Sequence, residues 1–198
     1  DLVIAGNVEA EALARKHNPK TAILPQVGID FDLFRPIPTL NREFDGVFVG
    51  RQTQEKGINV IRSAFADTDY RIWYSIGVPY HAMPKVFSRA KVHLAPSIDT
   101  AHWKEQAAPY SNIEALGSGC FVVTSDSKAI VEWLKDCPGV DFVPQKVSDK
   151  KCVVDEAFKY LAPWFEGEIY LKKTVHGLDG TGIIHAGIQG DLVKIPWV

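Results

Sequence analysis

The chain has 198 residues, enough for one α/β domain with a full core and a small appendage. Apolar residues make up 46% and charged residues 23%, an ordinary globular balance, and a formal net charge of -2 argues against a general nucleic-acid binder. No apolar run approaches the roughly 18–20 residues that span a bilayer. The three cysteines, Cys120, Cys137 and Cys152, are odd in number and lack close metal-type spacing. They are expected to be buried thiols in a reducing, cytoplasmic compartment rather than a disulfide frame. The chain opens on Asp1 and runs at once into an apolar strand with no charged leader, the expectation for a piece of a longer protein.

Leu2 to Ala5 predicts a buried strand, and Val8 to His17 a helix with Ala10, Leu13 and Ala14 facing inward at i, i+3 and i+4. Thr21 to Leu24 predicts a second strand, closed by Pro25. Gln26 to Thr39, with Gly28, Asp30, Asp32, Pro36 and Pro38, reads as a long loop. Residues 1–18 are expected to be the remnant of a preceding domain or a first βα unit, and 19–165 the main domain.

From Asp45 a regular alternation sets in. Strands are predicted at Val47 to Val49, Tyr70 to Tyr74, Val92 to Ala95, Phe121 to Thr124 and Val140 to Val143. Helices are predicted at Ile58 to Ala66, Met83 to Ala90, around Ile113 to Gly117, and at Ala129 to Lys135. Short apolar strands alternating with amphipathic helices predict an α/β fold with a doubly wound, Rossmann-like parallel sheet. Val153 to Leu161 is a further predicted helix, stopped by Pro163. From Glu166 onward, glycines punctuate short apolar runs. Residues 166–198 are therefore expected to form a small glycine-rich extension with strands at Ile169 to Leu171, Gly182 to Ile184 and Leu192 to Ile195. His176 and His185 in this region lack a third ligand in register, so no metal site is expected.

The stretch Val47-Phe-Val-Gly50-Arg51-Gln-Thr-Gln-Glu-Lys56-Gly57 runs from a buried strand into a helix and carries two cations. Ligands of parallel α/β sheets sit beyond the carboxyl ends of strands, and helix N-termini offer N–H groups to anions there. Arg51 and Lys56 suit a diphosphate; a solvated charged loop is the other reading. Gly77 and Val78, in the next strand-to-helix turn, admit a flat base or form a plain turn. The irregular segment Ile98 to Pro109 holds His102, Trp103, Lys104, Glu105 and Gln106, hydrogen-bonding groups suited to a sugar. Tyr110, Ser111 and Asn112 begin a helix at the same sheet edge. Glu114, near its start, suits either a ribose diol or the helix dipole.

Four stretches in order and spacing carry a resemblance: Ile23-Leu-Pro-Gln-Val-Gly28-Ile-Asp30…Phe34-Arg-Pro36, Val49-Gly-Arg51…Glu55-Lys56-Gly57, Val78-Pro79…Ala95-Pro96-Ser97, and Ser111-Asn-Ile-Glu114-Ala…Gly119…Val122-Val-Thr124. Over roughly residues 20 to 135 the chain resembles the C-terminal, nucleotide-sugar-binding domain of retaining GT-B glycosyltransferases of the large family 4. The resemblance implies that Arg51 and Lys56 hold the donor diphosphate and stabilise the departing charge. It implies that Glu114 binds the ribose hydroxyls and that Gly77–Val78 meets the base. Gly50, Tyr110, Ser111 and Asn112 would then line the phosphates, with Glu105 and Gln106 beside the transferred sugar. The implied enzyme is a hexosyltransferase with a nucleoside-diphosphate sugar as substrate, no cofactor and no bound metal.

The sequence also departs from the family pattern. A second Glu usually stands eight positions before the ribose one, where this chain has Gln106, with Glu105 one place off. Ala107, Ala108 and Pro109 replace the usual glycines, and Gln26 stands where Asn is common. The N-terminal domain that supplies acceptor site and catalytic histidine is expected to be missing, leaving a chain that binds a nucleotide weakly and transfers nothing. Two alternatives stay open: a non-catalytic GT-B-like binding or assembly module, and a nucleotide-sugar epimerase-like domain.

Overall fold

The computed structural model describes residues 1–24, 28–106 and 109–145, together with the backbone of four later strands. The predicted helix from Val153 to Leu161, and Gln26, Ala107, Ala108 and Cys152, lie outside the described residues.

The first unit is β1 (Val3–Ala5), α1 (Val8–Arg15) and β2 (Thr21–Ile23). β1 pairs in parallel with β2, from Val3 opposite Thr21 to Ala5 opposite Ile23. In its hydrogen bonding β2 thus belongs with β1 and not with the larger sheet that follows. Asn7 starts α1 by accepting a hydrogen bond from the Ala10 N–H at 2.7 Å. Leu13, expected to face inward, is 60% exposed. Two three-residue strands offer too narrow a surface to cover a full helical stripe, so the half-buried face centres on Ala10 and Ala14 instead.

The main sheet has five parallel strands: β3 (Phe44–Val49), β4 (Ile72–Ser75), β5 (Ala90–Ala95), β6 (Phe121–Ser125) and β7 (Val140–Val143). Their spatial order is β4-β3-β5-β6-β7. The crossovers carry α2 (Ile58–Phe65), α3 (Met83–Ser88), α4 (Tyr110–Gly117) and α5 (Lys128–Leu134). The expected Rossmann-like sheet is therefore present. α3 is shorter than its sequence pattern suggests, because Arg89 O accepts from Phe44 N and Ala90 is already in register with β3.

Alternate residues of each strand point to opposite faces, and both faces are covered. Val47 and Val122 join one core with Phe34, Phe87, Ile130 and Leu134, which brings in α3 and α5. Their neighbours Phe48 and Val123 join a second core with Ile58, Ile61 and Phe65 of α2. Each fully buried side chain of this size contributes about 1.5–3 kcal/mol by leaving water.

Beyond residue 145 the described strands are β8 (Ile169–Lys172), β9 (Val175–Leu178), β10 (Ile184–Gly187) and β11 (Leu192–Ile195). β9 pairs antiparallel with β10, and β8 with β11; β8 and β11 fall on strands expected of the glycine-rich tail, whereas β9 was not expected and β10 begins at Ile184, where the expected strand was to end. No helix among the described residues is long and apolar enough to cross a membrane.

The strand order fixes where a ligand can sit. From β3 the chain moves to β4 on one side and then to β5 on the other, so the loops after β3 and β5 diverge. A crevice opens between their carboxyl ends, the standard ligand position of such sheets.

Candidate functional site

Two loops border this crevice and are braced to each other. After β3, Gly50 and Arg51 lead to a single 3-10 turn, Gln54–Lys56, and then to α2. Gly57 joins turn and helix at φ 71°, the left-handed region that glycine occupies without strain. A Cβ at this position would lie 2.0 Å from the carbonyl oxygen of Pro96, at the end of β5. Close by, Ile98 N donates to Glu55 O at 2.8 Å. The glycine thus lets one backbone pass against the other.

Between the loops lies an open cleft of about 550 Å3, within the usual size for a small-molecule site. Of the residues expected to form a site, Gly50, Arg51, Lys56, Glu105, Gln106, Tyr110, Ser111 and Glu114 all line it. Lys56 Nζ donates to Glu105 Oε1 at 2.6 Å, and the same oxygen accepts from Ser97 Oγ at 3.0 Å. The Glu105 side chain is only 9% exposed, so these two contacts replace water that its carboxylate gives up. Lys56 Nζ also sits 4.7 Å from the centre of the Trp103 ring, a cation–π contact. Arg51 differs: its side chain is 67% exposed and only 4.0 Å from Glu55, free to turn toward an anion.

The opposite wall is the start of α4. Pro109 precedes the helix and supplies no side-chain cap, so the positive end of the helix faces the cleft at Tyr110 and Ser111. One turn further in, Glu114 is 8% exposed, and burial raises its pKa above the ordinary carboxylate value. Among the described residues its carboxylate has no hydrogen-bond or ion-pair partner. A raised folded-state pKa means that folding loses stability as pH rises through it, because the charged form is the one burial disfavours. Glu114→Gln is therefore expected to raise the melting temperature at pH 7 and to leave it nearly unchanged at pH 4. Equal shifts at both pH values would show that the charge is not the cause.

Three expected site residues lie elsewhere. Asn112 is fully buried. Its Nδ2 donates to Thr124 Oγ1 at 3.1 Å, and that hydroxyl donates to Ala95 O at 3.0 Å. Its side chain therefore docks α4 onto the sheet, because the third residue of this helix points inward. Val78 packs against the first core cluster, and neither it nor Gly77 borders the cleft. Tyr80 follows them, 55% exposed, with its ring edge-on to Phe34 at 5.2 Å. Its pKa is raised by desolvation first and then by the charge of Glu114, so Tyr80 and Glu114 feel one another.

The sequence pattern left Ser97 without a role, although its position after β5 is a signal that it faces the crevice. Asn7, in the first unit, was also missed. Its Nδ2 donates to Gln106 O at 2.6 Å and so ties the start of α1 to the cleft loop. Nothing local marks a contact across 99 positions.

No protein-family model matches the sequence, and no curated protein matches it either. Solved structures do. Sucrose-phosphate synthase from Thermosynechococcus elongatus aligns with 20% identity and a TM-score of 0.66, over 82% of this chain and 49% of that one. Anabaena HepE in complex with UDP and glucose aligns with 12% identity and a TM-score of 0.65, over 83% and 54%. WaaG, a glycosyltransferase involved in lipopolysaccharide biosynthesis, aligns with 14% identity and a TM-score of 0.59, over 82% and 56%. The chain spans about half the length of these structures. Its structural neighbours are GT-B glycosyltransferases, and its fold is that of one Rossmann-like half of the GT-B architecture.

Proposed function

We propose that this chain is the donor-binding half of a retaining GT-B glycosyltransferase that takes a nucleoside-diphosphate sugar and transfers a hexose when paired with an N-terminal acceptor domain. The observation that carries the reading is the meeting of Lys56, Glu105, Glu114 and the open start of α4 in one crevice where strand order reverses. The helix start and Lys56 receive the diphosphate, and Arg51 swings in from solvent. As the glycosidic bond to the nucleotide breaks, negative charge grows on the departing diphosphate, and Lys56, Arg51 and the helix N–H groups stabilise it. Glu114 accepts two hydrogen bonds from the ribose diol, which replace the partners its buried carboxylate lacks. Glu105 and Gln106 meet hydroxyls of the sugar. The reading requires no cofactor.

Acceptor binding falls to the other half of the architecture, so this chain alone is expected to bind nucleotide without transferring sugar. The neighbours that hold UDP make it the first probe. Calorimetric titration with UDP, GDP and ADP is expected to give binding for at least one. Lys56→Ala is expected to weaken it about 10–100-fold, the effect of one charge-assisted hydrogen bond worth about 1.5–3 kcal/mol. Failure of all three nucleotides to bind would sink the reading. Binding indifferent to Lys56→Ala would move the phosphates elsewhere.

A further inference from the structure

We propose that Asp99, which has no part in the donor contacts above, is the positioning residue that holds Glu105 against Lys56. Its functional consequence rests on the donor-site reading of the cleft, but its structural content does not.

Glu105 belongs to an irregular stretch, and local periodicity does not direct its side chain. Its own backbone N–H donates to Asp99 Oδ1 at 3.0 Å, six positions back, while Asn7 holds the next residue at Gln106 O. Asp99 is itself fastened at two further points. Its N–H donates to Gln145 Oε1 at 2.8 Å, and its Oδ2 accepts from Gln145 Nε2 at 3.1 Å. Ser127 Oγ donates to the same Oδ2 at 3.4 Å. Ser127 stands at the start of α5, and Gln145 follows β7 with its N–H on Asp126 Oδ1 at 2.9 Å. The carboxylate is thereby fastened to the β6–β7 side of the sheet and reaches from there to the loop.

The segment between Asp99 and Glu105 is closed by a second contact. Thr100 N donates to Trp103 O at 2.7 Å, and Trp103 N donates to Thr100 Oγ1 at 3.0 Å. This turn sets the indole over Lys56 Nζ. Of the two groups that flank the lysine, the carboxylate therefore takes its place from Asp99 and the indole from the Thr100–Trp103 turn beside it. A six-residue loop released at one end regains several rotatable backbone positions, and the entropy of ordering them again opposes the contact. The Lys56 and Ser97 contacts act only on the end of the Glu105 side chain and do not hold the backbone of the released stretch. Without Asp99 the Lys56–Glu105 contact is lost for much of the time, and the cleft loses the geometry that a diphosphate and its sugar would meet.

The test reads the exposure of the Lys56 amine. The intact chain is treated with limiting acetic anhydride, and acetylation of Lys56 relative to Lys16 is measured by peptide mass spectrometry. Asp99→Ala is expected to raise Lys56 labelling several-fold, to the level of Glu105→Ala. The double variant is expected to go no higher than Glu105→Ala, because both changes release one contact. Asp99→Asn, which keeps an acceptor for Glu105 N, is expected to restore most of the protection. Wild-type labelling in Asp99→Ala would overturn the proposal, as would an equal increment in the Glu105→Ala background. Should Asp99→Ala not fold, Gln145→Ala removes two of the bonds to Asp99, and wild-type labelling there overturns the proposal equally. Titration with UDP, GDP and ADP runs alongside. If none binds, the donor reading fails, while the labelling still decides the role of Asp99.

Discussion

Gly57→Ala is expected to destabilise the chain by about 2–5 kcal/mol, a large share of the roughly 5–15 kcal/mol that holds a domain folded. Two effects add. The left-handed conformation at φ 71° costs an L-residue about 1–2 kcal/mol. The new methyl would also stand 2.0 Å from Pro96 O, a backbone atom that moves only if the end of β5 moves with it. Overpacking of that kind costs a further 1–3 kcal/mol or so. Two other glycines separate the contributions. A Cβ at Gly77 meets open space at φ +67°, so Gly77→Ala isolates the strain, at about 1–2 kcal/mol. At Gly28 a Cβ also meets nothing within 4 Å and φ lies outside the left-handed range, so Gly28→Ala is expected near zero or slightly stabilising. Urea denaturation of the three variants measures the series. If Gly57→Ala costs no more than Gly77→Ala, the loop at Pro96 yields and the two crevice loops are not braced. If they are braced, the folded fraction of Gly57→Ala also loses the Lys56–Glu105 contact, because Ser97 and Glu105 move away from Lys56, and under the proposed function it binds nucleotide more weakly.

Acid is expected to remove about 3 kcal/mol of stability through one side chain, His93 on β5. The ring is fully buried, with Nδ1 3.1 Å from Val47 O and Phe87 edge-on at 5.4 Å. Burial drives its pKa down from 6.5 to about 4, against the opposing pull of the Val47 carbonyl and Asn112. The unfolded chain therefore binds a proton at a pH where the folded one refuses it. Stability is present above the ordinary histidine pKa and is lost as pH falls from about 6.5 toward 4. The difference in pKa converts to the stated energy at about 1.4 kcal/mol per pH unit. His93→Asn sacrifices packing at every pH but removes the titration. Its stability is expected to fall less between pH 7 and pH 4 than that of the wild type, by about that amount. Parallel pH curves would show that His93 takes up its proton without cost. Because His93 packs beside Asn112, which docks α4, acid is also expected to loosen the wall that carries Glu114.

Much of the fold was readable from local pattern. Alternating apolar runs and amphipathic segments placed all five strands and four helices of the main sheet, since strand and helix periods are set by neighbours two to four positions away. Gly50, Arg51 and Lys56 were legible as a cleft because a polar, glycine-bearing turn after a buried strand falls at the sheet's carboxyl edge. Glu114 was legible for the same reason, one turn into a helix that begins there. Asn112 was not. Two places before Glu114 on the helix, it points to the opposite side, and only the Thr124 hydroxyl beneath explains why a polar side chain goes inward. Leu13 failed in the reverse sense, because an apolar stripe finds cover only where the neighbouring strands extend far enough.

The sequence by itself determined the class of fold, the edge of the sheet at which chemistry gathers and most of the residues that border the cleft. The tertiary structure alone decided which of those residues meet. Lys56 and Glu105 are 49 positions apart, and Asp99 reaches Gln145 across 46. Such partners are chosen by the crossover of the chain between β3 and β5, and no local period encodes that crossover. The stretch from Ile98 to Gln106 is irregular, so its side-chain directions follow from the anchors it finds at Ser127 before α5, at Gln145 after β7 and at Asn7 before α1. The cleft is therefore legible in its residues and illegible in its contacts until the sheet brings its strands together.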